Sequence, residues 1–445
     1  MHPLLPLLSG SAKSSGVFNV LDYGATGDGH ANDTAAIRSA LSAAATSGGG
    51  VVLLPAPLTF LSGSLHMQNH TVFRIEAGAT LLGSPIYTDY PHEWVPGGRG
   101  ADTRQRQSLI AGARCVTPRT DGKGCTRWDA LHNVTLDGGG TIDGQGHAWW
   151  WAADAGSPAA HERPDMVQPA LVHGLTMRDL RFKASPCWTI HPLLCTDVLA
   201  ERITIESGQF DSDREYSGHN VDGFDPDSCD GVILRDSTIH AGDDCVAIYS
   251  SRAPTSNVLV QNVTCHTPLS ITHGAWGTHD VTFDNCTVRG DWGGDHTYRP
   301  RWWKTALRLK TDRATNGTVQ NIAYRNIRAI GVDLLFDIQS WYPCQNQSGM
   351  ANYETCQSFY PVQPGIRPHI RNVSLLNVTG DEATWRTGWL NCLPESPCKE
   401  MSMQGVTAPG AHGWVCENVE GQSRGGNAPS VDACFSRPPT EFTTA

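Results

Sequence analysis

The feature that most constrains the fold is a short strand pattern that recurs from about residue 64. Apolar residues alternate with polar ones, and each strand is closed by Gly, Asn or Asp. Copies begin at His132, Thr196, Asp230, Ser256, His279, Val319 and Ile370. The starts at 230, 256 and 279 are 26 and 23 residues apart, and the other intervals are longer, as inserted loops would make them. A period in this range is typical of a solenoid.

Each copy is too short to bury its own apolar face, so stacked coils must create the core. One α-helix is predicted at residues 35–45, after the capping oxygens of Asn32, Asp33 and Thr34 and before the glycines at 48–50. We therefore predict an all-β, right-handed parallel β-helix with an N-terminal capping α-helix. A β-propeller is the structural rival, although its blades need about 40 residues each.

The chain is expected to form a single domain at residues 17–445. An N-terminal cap covers about 17–63, the coils about 64–404 and a C-terminal cap about 405–445. Residues 1–16 are interpreted as a remnant of a leader, since the apolar run at 3–8 is short and has no basic flank. No segment approaches the roughly 18 apolar residues of a membrane span, so no membrane partner is expected.

Fourteen cysteines indicate an oxidising compartment. The paired CxxC spacings of zinc ribbons are absent, which favours disulfides over metal. Cysteines that lie close in sequence are Cys115 with Cys125, Cys187 with Cys195, Cys344 with Cys356, and Cys392 with Cys398. Nine glycosylation sequons begin at Asn32, Asn69, Asn133, Asn262, Asn285, Asn316, Asn346, Asn372 and Asn377. We predict a secreted, extracellular glycoprotein of the cell wall.

The formal net charge of −11 argues against nucleic acid as a partner. It does not favour long-range attraction of a polyanion either, so an acidic substrate would need positive charge concentrated in the site. No cofactor and no metal are expected, and the chain is expected to be a monomer.

Two acidic motifs lie about one coil apart. Asn220 to Asp225 reads NVDGFD, and GDDC begins at Gly242, so that Asp222 and Asp243 are 21 residues apart. Stacked strands would place them on neighbouring coils, roughly 4.8 Å apart along the axis. Arg308 and Lys310 follow about three coils beyond Asp243. They alternate with Leu309, so both are expected on the same outward face.

In a regular strand, the adjacent Asp243 and Asp244 would point to opposite faces. The preceding Gly242 predicts a bulge that lets both carboxylates reach the surface. Repulsion between close carboxylates raises at least one pKa, which provides a proton donor beside a base, as glycosidic hydrolysis requires. The alternatives for an Asp-Asp pair are simple turn chemistry and Ca²⁺ binding.

The chain resembles glycoside hydrolase family 28, the polygalacturonase family, over nearly its full length. The segments that carry the resemblance are FNVLDYGATGDGHANDTAAI near the N-terminus, NVDGFD, GDDCVAI and LRLKT. The resemblance implies an inverting hydrolase of the pectin-lyase-like β-helix class. It implies Asp243 as the general acid, with Asp222 and Asp244 activating the attacking water. Acid and base are then expected about 6.5–9.5 Å apart.

The resemblance also implies the residues around the carboxylates. Arg308 and Lys310 would hold a uronate carboxylate, with Asn220 and Asp225 as supporting residues. It further implies a disulfide between Cys245 and Cys265 beside the active site.

The chain departs from the family pattern at two places. The Gly-His-Gly segment is missing, and His266 is the first candidate for the site histidine, with His273 the second. A histidine that merely faces solvent is the alternative. The family's substrate-binding tyrosine aligns with Trp341, next to Tyr342, and either ring could stack on a sugar. These departures leave room for a decorated pectin.

The predicted function is metal-independent hydrolysis of α-linked galacturonosyl bonds in pectin, an acidic polysaccharide. The alternatives are a hydrolase of decorated or rhamnose-containing pectin, a polysaccharide lyase on the same fold, and a non-catalytic pectin-binding wall protein. Insertions at 87–128, 149–169, 291–303 and 342–367 are rich in Trp, Tyr, His and Arg. They are predicted to line the cleft, and the alternative is that their aromatic residues only pack the loops against the coils. The choice between endo and exo action stays open.

Overall fold

The computed structural model describes residues 16–96, 103–154, 162–208, 220–272, 276–290, 304–311, 313, 315–340, 342, 365–383 and 385–435. Its helices are α1 (Thr34–Thr46), α2 (His147–Asp154) and α3 (Asp432–Phe435), with 3₁₀ turns at Val20–Tyr23 and Tyr87–Asp89. No helix in these described ranges is long and apolar enough to cross a membrane.

In the described part of the chain, twenty strands form one large sheet, which folds into two walls of the solenoid. They are β1 (Val17–Asn19), β2 (Asp28–Asn32), β3 (Gly50–Leu54), β4 (Thr59–Ser62), β6 (Thr71–Ile75), β7 (Thr80–Gly83), β13 (Leu131–Asp137), β14 (Thr141–Asp143), β16 (Val172–Arg178), β17 (Arg181–Lys183), β18 (Thr196–Glu201), β19 (Thr204–Ser207), β20 (Asp230–Ala241), β22 (Thr255–Cys265), β24 (Thr278–Asp284), β25 (Thr287–Arg289), β27 (Thr318–Ile330), β29 (His369–Asp381), β31 (Cys398–Thr407) and β33 (Val419–Ser423).

The third wall, called the groove wall below, consists of nine short strands. They are β5 (Leu65–His66), β10 (Ile110–Ala111), β15 (Val167–Gln168), β21 (Val246–Ile248), β23 (Leu269–Thr272), β26 (Thr305–Lys310), β28 (Leu334–Gln339), β30 (Arg386–Asn391) and β32 (Trp414–Glu417). A series of single parallel bridges, from Val167 to Ile190, from Ile190 to Phe224 and from Phe224 to Val246, joins β15 to β21. The groove wall is therefore continuous along the solenoid.

Two antiparallel hairpins stand outside the coils. The first pairs β8 (His92–Val95) with β9 (Thr103–Arg106), and the second pairs β11 (Cys115–Pro118) with β12 (Cys125–Trp128). Both belong to the insertion predicted at 87–128.

The predicted repeats stack in parallel and in register. Asp230 pairs with Ser256, Ser256 with His279, and His279 with Gln320. Gln320 in turn pairs with Arg371 in the next coil. This confirms the prediction of an all-β, right-handed parallel β-helix.

Some long strands bend, so that their two halves lie in two different walls of the solenoid. The first half of β20 pairs with β18 and the second half with β19. Between them Asp236 has a φ of 51°, a left-handed conformation that Asn and Asp tolerate better than most residues. The recurrent Asn or Asp of the sequence pattern is thus the corner residue of a coil.

The N-terminal cap helix packs its apolar stripe onto the first coil. Ile37, Ala40 and Leu41 of α1 are buried. The N-cap residue Asp33 makes no side-chain hydrogen bond to the helix, and it is Asn32 Oδ1 that accepts a hydrogen bond from Thr34 N–H, at 3.1 Å. Asp33 instead accepts hydrogen bonds from Thr26 N–H and Gly27 N–H, so its carboxylate fixes the preceding turn.

The described residues contain four disulfides: Cys115–Cys125, Cys245–Cys265, Cys392–Cys398 and Cys416–Cys434. The suggested pairing of Cys187 with Cys195 is wrong. Both are buried and neither is in a disulfide, and the Cys195 thiol donates to Pro169 O at 2.8 Å. Cys344 and Cys356 lie outside the described residues.

Candidate active site

The groove wall brings three aspartates together. Phe224 bridges to Val246, and Gly223 N–H donates to Asp244 O at 2.9 Å, so Asp222 lies level with Asp244 rather than with Asp243. One carboxylate oxygen from each of Asp222, Asp243 and Asp244 lies within 4.8 Å of the others. A Cβ on Gly223 would come within 2.5 Å of Cys245 O, so only glycine permits this close stacking.

The bulge predicted at Gly242 is present. Both Gly242 N–H and Asp243 N–H donate to Val221 O, at 2.9 and 3.2 Å. Asp244 N–H then donates to Asp243 Oδ1 at 3.0 Å, and Asn220 N–H donates to Asp243 Oδ2 at 3.2 Å. Consecutive carboxylates therefore reach one cluster, in which Asp243 is partly exposed while Asp244 is buried.

Two cations lie against the buried carboxylate. Lys310 Nζ donates to Asp244 Oδ2 at 2.6 Å, and Arg308 Nη1 is 3.7 Å from Asp244 Oδ1. The coils run from β21 to β23 to β26, so the cations lie two coils beyond Asp244. The expectation of three coils was wrong because the insertion at 291–303 lengthens the chain without adding a coil.

Burial and charge repulsion set the protonation of the cluster. Burial, followed by repulsion from Asp243 and Asp244, raises the pKa of Asp222 well above its ordinary value. Burial likewise raises the pKa of Asp225, with repulsion from Asp222 next in size. Burial lowers the pKa of Lys310, but attraction to Asp244 outweighs that effect and the net shift is upward. The surroundings thus favour the cationic form of Lys310 and the protonated forms of Asp222 and Asp225.

Asp225 lies in the same wall and is completely buried. Neither of its carboxyl oxygens has a hydrogen-bond partner among the described residues. Asp225 therefore adds a fourth carboxyl to the buried part of the acidic cluster.

Sequence reasoning missed Asp337. It pairs with Arg308 across β26 and β28, with Oδ2 3.7 Å from Arg308 Nε. Gln339 Nε2 donates to the same oxygen at 2.7 Å. Burial raises the pKa of Asp337 to about 6, although Arg308, Gln339 and Lys310 act in the opposite direction. Spacing could have revealed it, since Asp337 follows Arg308 by 29 residues, about one coil.

His266 stacks against His240 of the preceding coil, with ring centroids 4.5 Å apart. Burial, then repulsion from His266, lowers the pKa of His240 to about 4, so His240 is neutral at neutral pH. The register of Val246 with Leu269 places Thr267, not His266, level with Asp244. Thr267 Oγ1 is buried and has no hydrogen-bond partner in the described part of the chain. Sequence reasoning missed this hydroxyl as well.

Of the three remaining predicted site residues, Tyr342 is described by the structure, whereas His273 and Trp341 are not. Tyr342 lies beside the cations, with Lys310 Nζ 5.2 Å from the centroid of its ring. His273 and Trp341 lie outside the described residues.

The arrangement places Asp222, whose pKa is raised, in one groove with further carboxylates and two cations. One oxygen of each carboxylate lies within 4.8 Å of the others, which is closer than the 6.5–9.5 Å expected between the acid and the base of an inverting pair. Three carboxylate oxygens at this spacing could also hold a divalent cation, since hard cations prefer such ligands. Asp244 Oδ2, however, already accepts a hydrogen bond from Lys310.

Known proteins are similar to this chain in sequence and in fold. In sequence, the chain is similar to a probable polygalacturonase of Vitis vinifera, 27% identical over 92% of this chain and 78% of the relative. An exopolygalacturonase structure from Thermotoga maritima superposes with a TM-score of 0.67 at 20% identity, covering 92% of this chain and 91% of that one. A polygalacturonase structure from Erwinia carotovora gives 0.63 at 21% identity, covering 88% and 94%.

Family models agree with these likenesses. The model described as rhamnogalacturonase A/epimerase, pectate lyase-like, matches residues 17–88. The model described as glycosyl hydrolases family 28 matches residues 117–430, which include all three clustered aspartates and both cations. The chain belongs to glycosyl hydrolase family 28.

Proposed function

We propose that this glycoside hydrolase cleaves α-linked galacturonosyl bonds in pectin without a metal. The observation that carries the proposal is the cluster of three carboxylates within 4.8 Å, with Lys310 and Arg308 beside Asp244. Glycosidic hydrolysis needs an acid for the leaving oxygen and a base for water. The cations supply the local positive charge that an acidic substrate needs despite the net charge of −11.

Asp243 is assigned as the general acid because it is the partly exposed member of the cluster. Asp222 and Asp244, buried behind it, orient and deprotonate the attacking water. Carboxyls this close titrate as a unit, so the proton held at Asp222 in the free enzyme belongs to the cluster. Redistribution of that proton on substrate binding would place it on Asp243.

Arg308 and Lys310 are assigned to the substrate carboxylate, Arg308 through its planar fork and Lys310 as a point charge. Tyr342, beside Lys310, is assigned to stack on the same sugar. Asn220, whose N–H donates to Asp243, is assigned to hold the acid in place.

The test compares polygalacturonate with the same polymer after reduction of its carboxylates to alcohols. We expect new reducing ends from polygalacturonate and about 10- to 100-fold lower kcat/KM on the reduced polymer, since charge-assisted hydrogen bonds are lost. Equal turnover of both polymers would contradict the assignment of the two cations. Absence of turnover on every uronic-acid polymer would remove the proposed function itself.

The stereochemistry requires its own measurement because the carboxylates are close. We propose inversion, on the strength of the family resemblance, with water attacking opposite the leaving group. Proton NMR of the first product should show the β-anomer before mutarotation. Initial release of the α-anomer would show retention instead.

A calcium-dependent polysaccharide lyase is the second candidate, because the spacing of the three carboxylates suits a divalent cation. Such an enzyme would form unsaturated ends that absorb in the ultraviolet. A rise in absorbance that EDTA abolishes would select the lyase, whereas EDTA-resistant reducing ends without absorbance would select the hydrolase.

We also propose that the protein is secreted to the cell wall and acts as a monomer. The four disulfides among the described residues support an oxidising compartment. Fractionation of expressing cells and size-exclusion chromatography of the purified protein test the two parts separately.

A further inference from the structure

The β8–β9 hairpin lies on the groove wall on the N-terminal side of the aspartates. Glu93 Oε2 is 3.0 Å from His66 Nε2, and Gln105 Nε2 donates to Gln168 Oε1 at 3.4 Å. His66 and Gln168 each pair with Ala111, so they lie in one outward row, two coils apart, with Ala111 on the coil between them. Strands of the hairpin therefore cover that row.

An apolar contact extends this cover toward the aspartates. Val95 of the hairpin packs with Ala170 and Leu193 in a small buried cluster separate from the core. Leu193 bridges to Asp227, which is on the coil of Asp222. The hairpin thus reaches the coil immediately before the first catalytic aspartate.

The hairpin is fixed rather than loosely attached. Its base is closed by a hydrogen bond from Gln107 N–H to Pro91 O at 2.9 Å. The hydrogen bond with His66 is the main cause that lowers the pKa of Glu93, so the wall holds this carboxylate of the hairpin. Arg106 Nη2 also pairs with Glu162 at 3.1 Å, which joins the hairpin to the next insertion.

The open groove on this side is short. Stacked coils are about 4.8 Å apart, and the hairpin contacts at Leu193 and Gln168 lie one coil and two coils before Asp222, which leaves roughly 5–10 Å. The floor there is Trp188, half-buried, with its ring edge on His191 and its face inclined 31° to Tyr249. This space suits one or two sugar rings stacked on an aromatic surface, and a longer segment would collide with the hairpin.

We infer that the β8–β9 hairpin closes one end of the groove, so that the enzyme acts at a chain end and releases one or two sugars per cleavage. The inference rests on the proposed hydrolysis of a uronic-acid polymer and adds its mode of attack. The polymer enters from the C-terminal side of the wall, past Arg308 and Lys310, and its terminal sugars occupy the closed end.

The experiment uses oligogalacturonides of defined length, tagged at the reducing end, and follows the first products by chromatography. We expect the full chain to produce only monomer or dimer together with the shortened chain. A variant with residues 92–106 replaced by Gly-Gly, joining Pro91 to Gln107, should produce first products of several lengths. The hydrogen bond between Pro91 and Gln107 makes this junction feasible without strain on the coil.

A point variant serves if the deletion does not fold. Val95→Asp places a charge against Ala170 and Leu193 and should shift the products in the same direction. Val116→Asp is the matched control, because Val116 is 43% exposed on the other hairpin. It should keep the product pattern of the unmodified protein.

The outcomes separate this inference from the proposed function. No cleavage of any uronic-acid polymer removes both. Cleavage at internal bonds by the unmodified protein, or an unchanged pattern in a folded deletion variant, overturns chain-end attack alone and leaves the hydrolase assignment standing.

Discussion

The coil corners and the groove wall are two surfaces of the solenoid on which the same stacking of coils has opposite consequences. At the coil corners, asparagines and aspartates of successive coils hydrogen-bond to one another. This amide ladder consists of Asp236, Asn262 and Asn285, of Asp280, Asn321 and Asn372, and of Asp284, Asn326 and Asn377. Each side-chain amide donates to the side-chain oxygen of the Asp or Asn on the coil before it. The regular stacking of the coils therefore satisfies the hydrogen-bonding groups of these residues.

On the groove wall the same register gathers polar atoms that do not satisfy one another. Among the described residues, atoms that are buried without a hydrogen-bond partner include Asp222 Oδ1, both Asp225 oxygens, Asp244 Oδ1, Thr267 Oγ1, Ser270 Oγ and Asp337 Oδ1. Each such group costs about 1–3 kcal/mol. Stacking therefore stabilises the ladder, whereas on the groove wall it concentrates groups whose partners would be substrate and water.

The largest difference is expected between two aspartates, one on each surface. Asp243→Asn removes the proposed proton donor and should lower kcat by about 10³-fold, within the range for loss of general acid catalysis. Asp236→Asn changes a ladder residue that accepts a hydrogen bond from Asn262, and kcat should stay unchanged. Steady-state kinetics with thermal melts check both. Near-normal kcat in Asp243→Asn would remove the acid assignment.

Two lysines provide the next contrast. Lys310→Met leaves the buried Asp244 without its 2.6 Å partner and should lower the free energy of unfolding by about 3 kcal/mol. Lys399→Met breaks an exposed pair with Glu420 and should cost less than about 1 kcal/mol. Denaturant titrations measure both values. Equal losses would mean that burial does not determine what a charge pair contributes here.

Asp337 and Asp179 should give opposite pH dependence. The folded-state pKa of Asp337 is raised from 3.8 to about 6, so its contribution to stability is complete below 3.8 and is lost as pH rises through 6. That rise corresponds to about 3 kcal/mol. Relative to the unmodified protein, Asp337→Asn should therefore gain about that much between pH 4 and pH 7.

Asp179 on the outer face is the control. Its hydrogen bond with Arg202 is the main cause that lowers its pKa, so its contribution is present above 3.8 and is lost as pH falls. Asp179→Asn should thus lose stability relative to the unmodified protein as pH rises from 3 to 5. Parallel curves for the Asp337 and Asp179 variants would contradict the contrast.

The fold could be predicted because each coil repeats a local rule: alternating apolar residues and a corner Asn or Asp. The grouping of Asp222, Asp243 and Asp244 with Lys310 followed from coil spacing alone. The number of coils between Asp244 and Lys310 could not be predicted from spacing, because an inserted loop and a coil lengthen the sequence in the same way. The contact of the β8–β9 hairpin with Leu193 and the position of Thr267 level with Asp244 could not be predicted. Both depend on the exact register of the stacked coils, and sequence spacing does not determine that register to a single residue.

The ladder also changes the interpretation of the sequons. Asn262, Asn285, Asn372 and Asn377 begin Asn-x-Ser/Thr triplets, and each of their amides donates a hydrogen bond within the ladder. A corner asparagine followed by a strand that is rich in Thr and Ser produces the triplet as a consequence of the fold. Glycosylation of the chain stays a prediction, and these four positions have a structural reason of their own.

The smallest expected effect concerns the hydrogen bonds of the ladder itself. Asn326 donates to Asp284 and accepts from Asn377, both at 2.9 Å, and has a φ of 53°. Asn326→Gly removes the side chain but tolerates this φ, so it should cost about 1 kcal/mol of stability and leave kcat unchanged. Asn326→Ala should cost about 1 kcal/mol more, because alanine is strained in the left-handed region. Denaturant titration of the two variants separates the hydrogen bonds from the backbone term, and a fall in kcat in either would mean that the ladder supports the groove wall as well as the corners.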